Sequence, residues 1–429
     1  MTRSSRTLPS LHRLSGALFL FPVAAQAVVS LFSIPVMIES AGSSGWIAIA
    51  VGQSIGAIGA VVVSLGWGVT GPARVSVLTQ RGKRETLAVS LVSKAAIAIP
   101  VLVASLAVIY LLVDSDPLAI LGALAILTLA FNSTWFFVGT SDPVGLVVLD
   151  ALPRVAVTAT GWVMVALGSP VEIGLLAQIG GSVLAGLAVW AFRVGRGSSE
   201  FIRSRLWRRL LAEFRGQVNG VASQVIPALF NYSPVILVSL VHPSAAPLFA
   251  LLDKVQKQIV TGLVPVGNVV VARAASQLSI GNRSRIETAR ASVWLTALVG
   301  MFGGVGVLVA GAFLVDLLSQ GLFRAKGTLI WVMAGVVCWS FIAAVLPAAA
   351  LAVVSSLRVA TRSALFGASI GVLTAVFMTE RLGALGAEIG LLVGFGVMGI
   401  WQSTYVLRLS QKSRVVYSGS HPVGFSSID

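Results

Sequence analysis

Charge is scarce in this chain: Asp, Glu, Lys and Arg make up only 10% of its 429 residues, against 56% hydrophobic. A water-soluble globular protein carries roughly 25% charged residues. The deficit leaves too little polar surface to cover a soluble body, so the residues escape water in lipid or in one another. The apolar stretches run the whole length, which excludes a sizeable soluble domain. Cysteine is nearly absent, and the single Cys338 rules out an intramolecular disulfide. His12, His242 and His421 lie far apart in sequence, so no Cys/His cluster points to a metal, and no cofactor is implied. Carboxylates are short as well: 15 against 30 Lys and Arg, a net charge of +15. On a soluble protein such an excess raises the question of nucleic acid. Here the basic residues sit between apolar spans, so no nucleic-acid partner is expected and the charge is read as topology.

What is present is a series of long apolar runs. A helix needs roughly 20 apolar residues to cross about 30 Å of hydrocarbon, and helices satisfy their own backbone hydrogen bonds there. The predicted spans are about 14–38, 45–69, 87–113, 117–140, 144–168, 172–194, 217–241, 246–271, 292–318, 327–354, 364–380 and 384–408. The eleventh is short, with an alternative start nearer Leu357. The first run is too long for a signal-peptide core and more spans follow it, so it reads as a transmembrane helix. The chain is therefore expected to be an all-α integral membrane protein of about twelve helices.

The loops support that number. With the N-terminus inside, the inner segments hold 23 of the 30 basic residues, Arg193 and Arg408 at the ends of their spans counted among them, the outer segments hold Arg324, Lys326 and Arg381, and four lie deeper within spans. A wrong helix count scrambles such an alternation. Both termini are therefore placed in the cytoplasm. The outer loops are short, and Glu39, Asp114, Asp116 and Glu172 sit at their edges. A weak repeat relates the halves: Arg74, Gly82 and Arg84 recur as Arg273, Gly281 and Arg283, offset by 199 residues. Two six-helix halves of like orientation imply a pseudo-twofold axis along the membrane normal. The expected organisation is a six-helix lobe over 1–195, a basic linker over 196–216, a second six-helix lobe over 217–409 and a cytoplasmic tail over 410–429. The linker sequence EFIRSRLWRRLLAEFR reads either as an amphipathic helix on the membrane surface or as a basic topological loop.

Six ionisable residues within spans stand out: Lys94, Asp150, Arg154, Asp253, Lys254 and Lys257. Each costs at least about 2.5–3.5 kcal/mol to insert. Asp150 with Arg154, and Asp253 with Lys257, are four apart and can pair on one helix face. Lys94, about 12 Å into its predicted helix at 1.5 Å per residue, is within reach of the inner surface by snorkelling. On that account all six are structural. The other account uses the remainder: four cations less two anions leaves +2, and neither Lys94 nor Lys254 has an acidic residue four positions away. Excess positive charge inside a bundle implies a hydrated cavity for an anionic group such as a phosphate or pyrophosphate. Gly52, Gly56 and Gly59 allow close helix approach, and prolines within spans, Pro153 and Pro265 among them, are candidate hinges. No nucleophile elbow, phosphate loop or metal-spaced carboxylate set is present, so the layout points to transport rather than catalysis.

Four patches carry a family resemblance. GWGVTGPARVS (Gly66 to Ser76) resembles the stretch closing the second helix of Wzx-type bacterial polysaccharide flippases. FNSTWFFVG (Phe131 to Gly139) resembles their Asn-x-x-Trp-aromatic-aromatic-x-Gly pattern, with Val138 where Gln is common. ALPRV (Ala151 to Val155) resembles the Pro-Arg of the fifth helix, and Phe249 to Ser276 is similar to the eighth. The resemblance implies the multidrug/oligosaccharidyl-lipid/polysaccharide exporter superfamily, with two six-helix lobes around a central cavity. It implies a flippase in the bacterial plasma membrane, moving an undecaprenyl-pyrophosphate-linked oligosaccharide outward by alternating access. Membrane lipids, and a polysaccharide polymerase or glycosyltransferases, are the implied partners. By position, Arg154, Lys254 and Lys257 are headgroup candidates, with Arg74 and Lys94 beside them. Asp150 and Asp253 are candidates for ion coupling or for pairing. No catalytic residues are expected. The alternatives are a drug or metabolite antiporter of the same superfamily, and a membrane enzyme or assembly subunit of polysaccharide synthesis.

Overall fold

The computed structural model describes residues 9–195, 224–276 and 282–418, with side chains over 18–195, 224–274 and 285–411. The basic linker, the tail beyond Ser418, Arg3, Arg6 and Gly281 of the repeat lie outside the described residues. The elements are α1 (Pro9–Val63), α2 (Trp67–Ser76), α3 (Gln80–Val113), α4 (Pro117–Leu127), α5 (Thr134–Thr140), α6 (Pro143–Ala166), α7 (Val171–Val194), α8 (Gln224–Val241), α9 (Ala246–Ser276), α10 (Asn282–Leu318), α11 (Gly327–Leu351), α12 (Leu357–Leu382) and α13 (Ala384–Ser418). Every predicted span is met by one of these or by a consecutive pair, and α12 begins at Leu357, the earlier of the two starts considered.

Eleven helical stretches are long and apolar enough to cross a membrane among the described residues. One of them, Leu18–Ser76, has 59 residues. At 1.5 Å per residue it measures about 88 Å, nearly three bilayer cores. The loop expected between the predicted spans 14–38 and 45–69 is replaced by a single break at Gly42, with φ 66° and ψ −179°. That backbone is open to glycine and closed to most side chains. Split there, the stretch supplies two crossings, which brings the total to twelve.

Helix starts are set by short polar side chains that accept otherwise unpaired N–H groups. The Thr79 hydroxyl accepts from Gly82 N at 3.3 Å before α3. Asp116 accepts from Leu118 N at 2.8 Å before α4, and Asp142 accepts from Gly145 N at 2.8 Å before α6. In both carboxylate cases proline takes the first helical position, where its missing N–H is harmless.

Packing in lipid relies on close backbone approach rather than on hydrophobic exclusion. A Cβ at Gly52 would lie 2.0 Å from the Ala119 carbonyl oxygen, and one at Gly56 would lie 2.3 Å from that of Ala123. The pairs 52/119 and 56/123 keep the same offset, so the second half of α1 and α4 run parallel, as the second and fourth crossings must. Gly300 meets Cys338 and Gly304 meets Ala334, an antiparallel register for α10 and α11, the ninth and tenth crossings. The direction of each packed pair thus agrees with twelve passes.

The helices divide into two compact units: Met1–Gly262 with Phe313–Arg324 and Met378–Ala387, and Leu263–Ala312 with Ala325–Phe377 and Glu388–Asp429. The second is held by a cluster around Ala289, Val293, Ile342, Leu346 and Val406 and by Gln402 donating to the Ser363 hydroxyl at 3.0 Å.

Because the α1–α4 seam has no room for a methyl group, Gly52→Ala should destabilise the protein by about 1–3 kcal/mol. Gly180→Ala, which meets nothing within 4 Å, should leave stability unchanged. Thermal melts of the detergent-solubilised variants against wild type measure both.

Candidate functional site

All four cations predicted within spans belong to the first unit. Lys254 is placed by a parallel register between α1 and α9. Trp46 Nε1 donates to Pro247 O at 3.0 Å, and one heptad further along both helices Lys254 Nζ donates to Gln53 Oε1 at 2.5 Å. The ammonium also lies 5.1 Å from the centre of the Trp46 ring, where the ring's negative face attracts a cation. The absence of an acidic residue four positions away is therefore met by a neutral amide 201 residues distant.

Lys254 and Gln53 border a small cavity of about 50 Å³, which Gln26, Ser30, Thr158 and Gln178 also line. Amides and hydroxyls share its lining with Val29, Met37 and Ile126, and Trp162 supplies an aromatic wall. Thr158 Oγ1 is buried and has no hydrogen-bond partner among the described residues. Gln258 Nε2 donates to the Ser30 hydroxyl at 2.8 Å and so ties α9 to α1 beside the cavity. Among the described residues that line it, Lys254 is the ionisable one. A larger groove of about 650 Å³ in the second unit, bordered by Arg273, Glu287 and Trp294, contains none of the four cations.

The remaining predicted residues form two ion pairs. Lys257 Nζ lies 2.6 Å from Asp253 Oδ2 and 4.4 Å from the centre of the Tyr232 ring on α8. Arg154 Nη2 lies 2.5 Å from Asp150 Oδ1, and Thr134 donates to Asp150 Oδ2 at 3.4 Å. Asp150 lies in a widened π turn over Leu146–Ala151, and Pro153 lies just beyond it. Arg154, Thr158 and Trp162 follow at four-residue steps, so one face of α6 leads from the pair to the cavity wall. Snorkelling by Lys94 is corrected. Its helix begins at Gln80, which puts it about 21 Å along the axis, it is 2% exposed, and Nζ donates to the Asn132 carbonyl at 3.0 Å.

Arg74 is not brought to the cavity; its guanidinium lies 5.5 Å above the Trp67 ring. There two of the motif patches interlock. Trp67 and Trp135 have ring centres 4.9 Å apart, a Cβ at Gly71 would strike the Trp135 ring, and one at Gly139 would strike Pro72. Val138, in the position where Gln is common in the resembling family, is 46% exposed and outside this contact.

Sequence reading missed several participants. Arg193, counted as a topological charge, pairs with Asp142 and lies 5.7 Å from the Phe137 ring. Glu388 in α13 was not singled out, yet it is fully buried; a lone carboxylate in the apolar run LGAEIGLL was the signal. Gln53 and Gln178 were visible as amides in apolar spans.

The sequence matches no protein-family profile and no curated protein. Solved structures do match in shape. An inward-facing multidrug-resistance MATE family transporter of the MOP superfamily superimposes with a TM-score of 0.71 at 14% identity, covering 94% of this chain and 100% of the other. An outward-facing structure from that family gives 0.57 at 13% identity over 93% and 95%. A MOP superfamily transporter from Pyrococcus furiosus, described by the reverse polarity of its binding pocket, gives 0.58 at 13% identity over 93% and 95%. The chain therefore has the two-lobed MATE-like fold.

Removing one member of a buried ion pair strands the other at a cost of about 3–5 kcal/mol, whereas removing both is far milder. Asp150→Ala should thus sharply lower the melting temperature and folded yield. The double change Asp150→Ala with Arg154→Met should recover most of the loss in the same melts.

Proposed function

We propose that the protein is an alternating-access transporter of a bacterial plasma membrane that exports an anionic amphiphile, a drug- or metabolite-type solute bearing a carboxylate or phosphate. The fold supports transport: it is shared with MATE transporters described in both inward- and outward-facing forms. The sign of the substrate rests on one observation, the Lys254 ammonium as the ionisable group among the described residues that line the cavity. The interior of the first unit carries four cations against Asp150 and Asp253, so a bound anion lowers its electrostatic energy and a cationic drug raises it. A pocket of reverse polarity has a precedent in the Pyrococcus furiosus transporter of the same fold.

In this reading Lys254 attracts the charged head, and Gln53, Gln178 and Thr158 supply directional hydrogen bonds. Trp46 holds the lysine in place, and Asp253 fixes Lys257 nearby as a second positive centre. Asp150 and Asp253, each tied to a cation, serve structure, and the energy comes from an ion gradient or the membrane potential. The inner segments carry the excess of Lys and Arg, which supports cytoplasmic termini.

A second reading is favoured by the interlocked patches Gly66–Ser76 and Phe131–Gly139, whose contacts give the flippase-like motifs a structural reason. Here the cargo is a lipid-linked oligosaccharide, its pyrophosphate is the anionic head, and a polymerase or glycosyltransferases are the partners.

Proteoliposomes separate the two. Accumulation of a labelled organic anion without movement of lipid-linked sugar supports the solute exporter, and the converse supports the flippase. In either case Lys254→Met should lower transport at least about tenfold, the loss of one charge-assisted contact of roughly 1.5–3 kcal/mol, with insertion unchanged. Full transport by that variant, or transport of cationic drugs alone, would overturn the assignment of an anionic substrate.

A further inference from the structure

The groove of about 650 Å³ in the second unit lies where α9 ends and α10 begins. Arg273 stands in the last turn of α9, and Glu287 in the second turn of α10. These two helix ends meet the same surface of the bilayer, so the groove opens there. On α10 the lining runs through Glu287, Ala291, Trp294, Leu295 and Leu298, at steps of three and four that keep to one helix face. From Glu287 to Leu298 is about 16 Å along the axis. That is roughly the depth of one leaflet, half of a hydrocarbon core of about 30 Å.

Polarity falls with depth. Among the described residues that line the groove, Arg273 and Glu287 are the ionisable ones, and both stand at its mouth. Trp294, 63% exposed, follows further down α10, and Leu298, 61% exposed, lies beyond it. Tryptophan suits the boundary between headgroups and chains, because its ring is apolar and its N–H polar. Charge, then an aromatic ring, then aliphatic side chains is the order of a phospholipid from head to tail. The charges at the mouth are of opposite sign, and this selects the head. A purely basic pocket favours anionic lipids, whereas here a carboxylate lines the same groove and opposes a surplus of negative charge. A guanidinium matches the geometry of a phosphate, and a carboxylate accepts from a primary ammonium. Both residues also interact within the protein, but five donors on one and about four acceptor sites on the other leave capacity for a ligand.

We infer that the groove between α9 and α10 binds a zwitterionic phospholipid with a primary ammonium, a phosphatidylethanolamine. Its phosphate meets Arg273, its ammonium meets Glu287, and one acyl chain follows Leu295 and Leu298 into the bilayer. The groove shares no residue with the Lys254 cavity, and this assignment is independent of what the protein transports.

The experiment titrates delipidated protein in detergent with phosphatidylethanolamine, phosphatidylcholine and phosphatidylglycerol of identical chains, and counts bound lipids by native mass spectrometry. Wild type should bind one phosphatidylethanolamine about tenfold more tightly than either of the others, the worth of one charge-assisted hydrogen bond. Phosphatidylcholine keeps the charges but has no N–H to donate, and phosphatidylglycerol lacks the ammonium. Glu287→Gln should bring phosphatidylethanolamine down to the level of phosphatidylcholine. Arg273→Gln should weaken all three lipids. Ala291→Trp fills the groove while keeping both charges, and it should also remove the preference. Wild type that binds the three lipids alike, or binds phosphatidylglycerol or phosphatidylcholine best, overturns the inference. Retention of the preference by either Glu287→Gln or Ala291→Trp does the same, so each variant decides without the other.

Discussion

An ammonium or guanidinium group has no stable place in hydrocarbon, and that prohibition organises the first unit. The four cations within its spans are answered in three ways: Arg154 and Lys257 by a carboxylate one turn away, Lys254 by a distant amide and an aromatic face, and Lys94 by a carbonyl released from a broken helix. The answers reach across sequence. Lys254 joins α9 to α1, and Lys94 joins α3 to the segment between α4 and α5. The same contacts that keep charge out of lipid therefore determine which helices are neighbours, and the glycine seams let those helices approach closely enough for the contacts to form.

The irregular backbone follows the charge. The 3₁₀ turn before Asn132 and the π turn containing Asp150 lie on consecutive crossings and meet through Thr134. In lipid, non-helical backbone is tolerated only where protein groups satisfy it. The charged cluster and the broken helices are thus one feature: the carbonyl stabilises the ammonium, and the ammonium permits the break.

Crossing positions were legible because hydropathy is local, and so were the Asp150–Arg154 and Asp253–Lys257 pairs, which need only a helical spacing of four. Gly42 was legible as a boundary but not as a sharp break within one long helix, since a single residue at positive φ leaves no trace in a hydropathy window. The partner of Lys254 was out of reach because Gln53 is 201 residues away. The interruption at Asn132 was hidden because Asn-Ser-Thr is short among apolar residues and a lone polar triplet also fits a continuous span. Arg193 shows the reverse error: a charge at a helix end was assigned wholly to topology, although it is paired with Asp142.

The two rungs between α1 and α9 carry a mechanical consequence. Trp46 to Pro247 and Gln53 to Lys254 have one offset on parallel helices. A slip of either helix along its neighbour would break both together, and the next turn offers the lysine no equivalent amide, because one helical turn on from Gln53 stand Gly56 and Ala57. The pair behaves as a keyed shaft. Tilting leaves the rungs in place while sliding does not, so any stroke that involves these helices must be angular.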